Sequence, residues 1–124
     1  MGTWPQVSID TKKGIDMCFG CGQNNHIGLK LNFRWDSTTA RAEFTPSQPY
    51  QGWSGIVHGG IIACLLDEAM GYVSHFQGIT TVTAKMQMRL RQPALIGEPL
   101  VITASMTKKN RKLVEAKADI SLRD

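Results

Sequence analysis

Gly55-Ile56-Val57-His58-Gly59-Gly60-Ile61-Ile62-Ala63-Cys64-Leu65-Leu66-Asp67-Glu68-Ala69-Met70 is the stretch that decides how this chain folds. No proline interrupts residues 61–76, and apolar side chains recur at Ile61, Ile62, Leu65, Leu66, Ala69, Tyr72 and Val73. That spacing is helical. At about 100° per residue these positions share one face, which predicts a helix laid on a sheet. The opposite face holds Asp67 among Ala63, Cys64, Gly71 and Ser74. A helix facing water normally carries long charged side chains there. Small residues around one carboxylate instead predict close approach by another helix, a second subunit or a ligand. Gly59 and Gly60 open the helix, where backbone N–H groups lack acceptors and the dipole is positive. Glycine lets another group reach those amides, and such donors suit an oxyanion. A glycine-rich cap with a surface aspartate is the plain alternative, and the residues alone leave both open.

Outward from the helix the pattern changes to alternation. Residues 29–35 alternate apolar and polar, Asp36-Ser37-Thr38 turns the chain, and residues 39–44 alternate again, predicting a hairpin. A loop over 46–55 leads into the helix. Beyond Gly78, Val82, Ala84, Met86, Met88 and Leu90 alternate with Thr83, Lys85, Gln87 and Arg89, predicting a strand with its methionine row filling the core. Pro93 and Gly97 mark the next turn, residues 100–106 read as strand, 108–112 as a basic turn, and 113–122 as the last strand. The expected order is β-β-α-β-β-β, an α+β domain with one long helix and an antiparallel sheet.

With 124 residues there is room for one domain, expected over 17–124 behind a polar arm over 1–16. Fourteen basic against ten acidic residues give a net charge of +4, which fits an anionic small ligand as well as a nucleic acid. The basic turn lacks interleaved aromatics, since Trp35 and Phe44 fall in strands, so no nucleic-acid partner is expected. No stretch approaches the roughly 20 apolar residues of a spanning helix, and no membrane insertion is expected. Gln6 stands where a myristoylation signal wants Ser or Thr. Three cysteines form no disulfide framework, which predicts a reducing, cytoplasmic setting. Cys18-Phe19-Gly20-Cys21, with His26 behind it, invites a zinc reading. A structural site wants four ligands and no second pair follows, so the turn is expected to pack and to hold no metal. No βαβ pattern follows to support a redox role.

The run Gly-x-Val-His-Gly-Gly, then an apolar helix with Asp nine residues after the His, resembles the hotdog-fold acyl-CoA thioesterases. The resemblance is to the phenylacetate-pathway and 4-hydroxybenzoyl-CoA thioesterase group. It spans 17–122 in outline, is specific over 51–70, and is weaker over 17–33 and 83–100. It implies a central helix wrapped by the sheet, a homodimer or dimer of dimers, and an active site between subunits. It implies hydrolysis of an acyl-CoA or aryl-CoA thioester to free acid and CoA, with no cofactor. Asp67 takes the place of the general base or nucleophile, and the Gly59 amide, beside Gly60, that of the donor to the carbonyl. His58 is either a second base or the residue that holds the turn and aims that amide. The family's extra amide donor falls by count on Gly52, which brings its neighbour Gln51 forward. Thr83 matches a water-positioning hydroxyl, and Lys108, Lys109, Asn110 and Arg111 match a turn that meets CoA. Lys and Arg there suit its phosphates. The family usually continues into a further strand beyond Asp124, so that final strand is expected to be missing. A non-catalytic acyl-CoA sensor on the same fold is the alternative reading. A hydratase would need an Asp/His dyad in a different motif.

Overall fold

The computed structural model describes residues 14–123. Most of the expected arm over 1–16 therefore lies outside the described residues. A 3₁₀ turn at Ile15–Met17 begins the described chain, followed by β1 (Arg34–Trp35), β2 (Thr39–Phe44) and a second 3₁₀ turn at Gln48–Tyr50. The helix α1 (Gly59–Phe76) comes next, then β3 (Leu100–Lys109) and β4 (Val114–Leu122). The strands form one antiparallel sheet in the order β1-β2-β3-β4. One helix lies against this sheet, the α+β arrangement expected of a hotdog fold.

Period-two alternation turns one face of the sheet toward α1. Ala40 and Ala42 of β2 are buried while Arg41 and Glu43 are exposed. Leu100, Ile102 and Ala104 of β3 join Leu65, Ala69 and Val73 of α1 in the core. Burying a side chain such as Leu65, fully enclosed here, stabilises the fold by about 1.5–3 kcal/mol. The hairpin turn is held by Asp36, whose Oδ1 accepts from the N–H of Thr38 at 2.9 Å and of Thr39 at 2.7 Å. Those donors hold its carboxyl below the usual range.

α1 stops in a Schellman turn: Ile79 N–H donates to the Ser74 carbonyl at 3.0 Å, and Gly78 takes the left-handed conformation at φ 76°. That fold-back explains one correction. Ser74, expected on the open face with Asp67, is buried, because the chain leaving the helix folds over it.

Two strand expectations also change. Leu29, Leu31 and Phe33 are buried in alternation, but only Arg34–Trp35 pairs with β2. The preceding residues bond to the cysteine turn instead, Leu29 N–H to Phe19 O at 2.8 Å and Leu31 N–H to Gly20 O at 2.9 Å. The expected strand over 80–90 makes no ladder among the described residues. Val82, Met88 and Leu90 are exposed, so the methionine row does not fill this chain's core. An alternating strand needs a neighbouring strand, and β1–β4 place none beside it.

Candidate active site

The entry to α1 is built by hydrogen bonds to the loop before it. His58 N–H donates to Tyr50 O at 2.9 Å, and the His58 side chain caps the helix, Nδ1 accepting from Gly60 N–H at 2.8 Å. That ring nitrogen is occupied, so the turn-holding reading of His58 fits this geometry better than the second-base reading. Ile61 and Ile62 N–H both donate to His58 O. The Gly59 N–H has no acceptor among the described residues. It opens onto a cavity of about 350 Å³ lined by Gly52, Trp53, Ile56, Val57, His58 and Gly59. A Cβ on Gly60 would press on the His58 ring, and one on Gly52 on the His58 backbone. Gly60 thus serves the cap, and its N–H is already used. Gln51 does not line this cavity. Its Oε1 accepts from Gly55 N–H at 3.1 Å, which leaves Nε2 as the free donor.

Asp67 stands two turns further along α1 and lines a second cavity of about 500 Å³. Its Oδ1 accepts from the Thr83 hydroxyl at 2.5 Å, so two residues picked separately from sequence meet here. Residues 80–90 run back along the helix: Thr83 meets Asp67, and Leu90 lies beside Gly59. Eight residues separate Gly59 from Asp67, about 12 Å of helix. Amide donor and carboxylate therefore occupy different cavities of one chain.

Sequence reasoning missed what Glu68 does. Cys18 Sγ donates to its Oε1 at 3.6 Å, and Cys21 Sγ completes a group whose ligand atoms lie within 4.8 Å of one another. Burial first, then the charge of Asp67, raises the Glu68 carboxyl above its ordinary range. Burial likewise pushes the Cys21 thiol up to about 11. Nothing local pairs a helix residue with a turn fifty positions earlier; in the structure Gly20 lies tight against the Glu68 carboxylate. His26 is exposed and outside this group.

The basic turn lies at the far end of the β3–β4 hairpin. Lys108 and Lys109 close β3, and Asn110 holds the turn, its Oδ1 accepting from Lys112 N–H at 3.0 Å and Leu113 N–H at 2.9 Å. Asn110 is thereby spoken for, while Lys108, Lys109 and Arg111 are exposed. None of the four lines either cavity.

This fold, with a glycine-opened helix carrying Asp67 and Glu68, has counterparts. The family model of the thioesterase superfamily matches residues 54–124, more than half of the chain, and the chain belongs to that superfamily. Acyl-coenzyme A thioesterase 13 of Mus musculus is 35% identical over 69 residues, which are 54% of this chain and 49% of the mouse protein. The chain thus spans about half the length of that relative. Among solved structures, a thioesterase superfamily protein superposes with a TM-score of 0.82 at 27% identity, covering 96% of this chain and 65% of its own. A hypothetical thioesterase from Streptococcus pneumoniae, crystallised with coenzyme A, superposes at 0.71 and 17% identity, over 75% of this chain and 73% of its own. At that identity the likeness is one of fold.

Proposed function

We propose that this chain hydrolyses an acyl-CoA or aryl-CoA thioester to the free acid and CoA, working as a homodimer or a dimer of dimers. The observation that carries this reading is a free helix-start amide and a hydroxyl-oriented carboxylate on one helix, about 12 Å apart. Neither cavity of a single chain holds both. A second copy that brings its Asp67 opposite the first copy's Gly59 completes the site, and two-fold symmetry then makes two such sites.

In that site the Gly59 N–H takes the carbonyl oxygen, stabilising the charge that develops as the carbon becomes tetrahedral. Asp67 removes the proton from an attacking water, or attacks the carbonyl itself to give a mixed anhydride that water then hydrolyses to the free acid, restoring the carboxylate. The Thr83 hydroxyl holds one carboxylate oxygen, leaving the other to meet the water. Collapse of the tetrahedral species breaks the C–S bond and releases CoA thiolate. Lys108, Lys109 and Arg111 attract the CoA phosphates, Asn110 shapes their turn, and Gln51 Nε2 and the Gly60 turn support the acyl end. The chemistry needs no cofactor. The bound coenzyme A of the Streptococcus pneumoniae relative supports the choice of substrate class.

The apolar row of residues 80–90, exposed in one chain, is the surface that a second copy covers. No helix among the described residues is long and apolar enough to cross a membrane. Three unpaired thiols suit a reducing cytoplasm.

The test is a panel of acyl- and aryl-CoA thioesters followed by thiol release, with sedimentation on the same sample. Turnover of at least one thioester by a species heavier than the 13.7 kDa chain is expected. A monomer at micromolar concentration contradicts the shared site. Tight binding of acyl-CoA without thiol release contradicts the enzyme and leaves a sensor.

A further inference from the structure

Against the expectation from the sequence that the cysteine turn holds no metal, we propose that Cys18, Cys21 and Glu68 form a binding site for one thiophilic divalent cation, zinc being the best match. The site rests on the cysteine turn and its contact with α1, and does not depend on the proposed hydrolysis.

Three observations carry it. The two sulfurs and a carboxylate oxygen lie within 4.8 Å of one another. Around tetrahedral zinc, with Zn–S about 2.3 Å and Zn–O about 2.0–2.2 Å, a sulfur and an oxygen sit about 3.6 Å apart. The Cys18 Sγ to Glu68 Oε1 separation is 3.6 Å.

The second observation is the rigidity of the scaffold. Gly22 N–H donates to Cys18 O at 2.8 Å, and Asn24 N–H to Asp16 O at 2.9 Å. A Cβ on Gly22 would strike the backbone of Asp16 and Cys18, and one on Gly20 the Glu68 carboxylate. Bonds from Leu29 and Leu31 tie the same turn to the chain that follows. A turn closed by backbone around Gly22, with a carboxylate packed against Gly20, presents its ligands ready-made.

The third is the surrounding shell. Tyr72 lines the same cavity beside the two sulfurs, where a hydroxyl can serve as an outer partner to a ligating sulfur. All three ligands line the cavity that also holds Asp67, Tyr72 and His75, so a fourth coordination position is open to water. Two thiolates and one carboxylate select zinc over calcium or magnesium, which prefer all-oxygen sites. On binding, each thiol releases its proton to solvent and nothing is oxidised. A Cys18–Cys21 disulfide is the competing fate. It would leave the half-buried Glu68 carboxylate without a donor or a cation.

The experiment uses the full chain, purified without chelator, for elemental analysis. Metal-stripped protein is then titrated with cobalt(II), and the thiolate-to-cobalt charge-transfer band is followed. About one equivalent of zinc or cobalt per chain is expected, falling below about one-tenth in Cys18→Ser/Cys21→Ser. Glu68→Gln keeps both sulfurs and should weaken binding at least about tenfold. Bound zinc should also shield both thiols of the wild type from alkylation, a readout that stands if the double variant fails to fold. Wild-type protein that takes up no cobalt at micromolar concentration overturns the proposal. So does uptake unchanged in Glu68→Gln, or a metal-free Cys18–Cys21 disulfide in protein purified under reducing conditions.

Discussion

The start and the middle of α1 are built on opposite plans. At the start, the proposed working group belongs to the backbone: the Gly59 N–H is left free among the described residues while His58 spends its side chain on Gly60. In the middle, the proposed working group is a side chain, Asp67, held by a hydroxyl from a segment that pairs with no strand among the described residues. The cap at the first end is local, made by residues within ten positions of Gly59, although the loop ahead of it also bonds to residues 94–96. The second depends on residues sixteen and fifty positions away. The helix start is therefore complete in one chain, whereas the surroundings of Asp67 are assembled by tertiary, and on the proposed reading quaternary, contacts.

That difference sets how substitutions should behave. Asp67→Asn keeps the shape and removes the base, so turnover on the best thioester should fall by about 10²–10⁴ while acyl-CoA binding persists. Wild-type turnover in that variant would remove Asp67 from the chemistry. Thr83→Val deletes one hydrogen bond to a carboxylate, on the order of 1.5 kcal/mol, so kcat should drop about tenfold with KM nearly unchanged. An unchanged kcat would show that the Thr83 contact orients nothing. At the helix start the effect should appear in stability instead. His58→Ala removes a cap and should cost about 1 kcal/mol in urea unfolding, with Asn at the same position recovering most of it. A loss of turnover in His58→Asn at unchanged stability would assign the imidazole a chemical role.

The same contrast explains what could be read from sequence. The helix and the hairpin announce themselves through periodicity, because burial on one face acts residue by residue. His58, Gly59 and Gly60 were legible for the same reason, since a cap is a local event. The run over 80–90 carried a strand's alternation without its neighbour, and alternation cannot say which strand, or which copy, supplies the pairing. Ser74 was misplaced because the Schellman turn that covers it depends on Gly78 and Ile79, beyond the helical pattern. Glu68 follows Asp67 directly on the helix. Its meeting with Cys18 and Cys21 is a long-range contact that no spacing rule encodes.

The central claim, that one copy's Gly59 amide works with the other copy's Asp67, can be tested by mixing two damaged chains. Gly59 is the first helical residue, where proline fits the backbone, removes the N–H and adds its ring to the cavity wall. Gly59→Pro and Asp67→Asn should each be nearly inactive alone, the former by about 10²–10³. Co-expressed with different tags and purified as the mixed dimer, they should regain about half of wild-type turnover, since one of two symmetric sites then has both groups intact. A mixed dimer no more active than either parent would mean that each chain carries its own complete site, and would contradict the account.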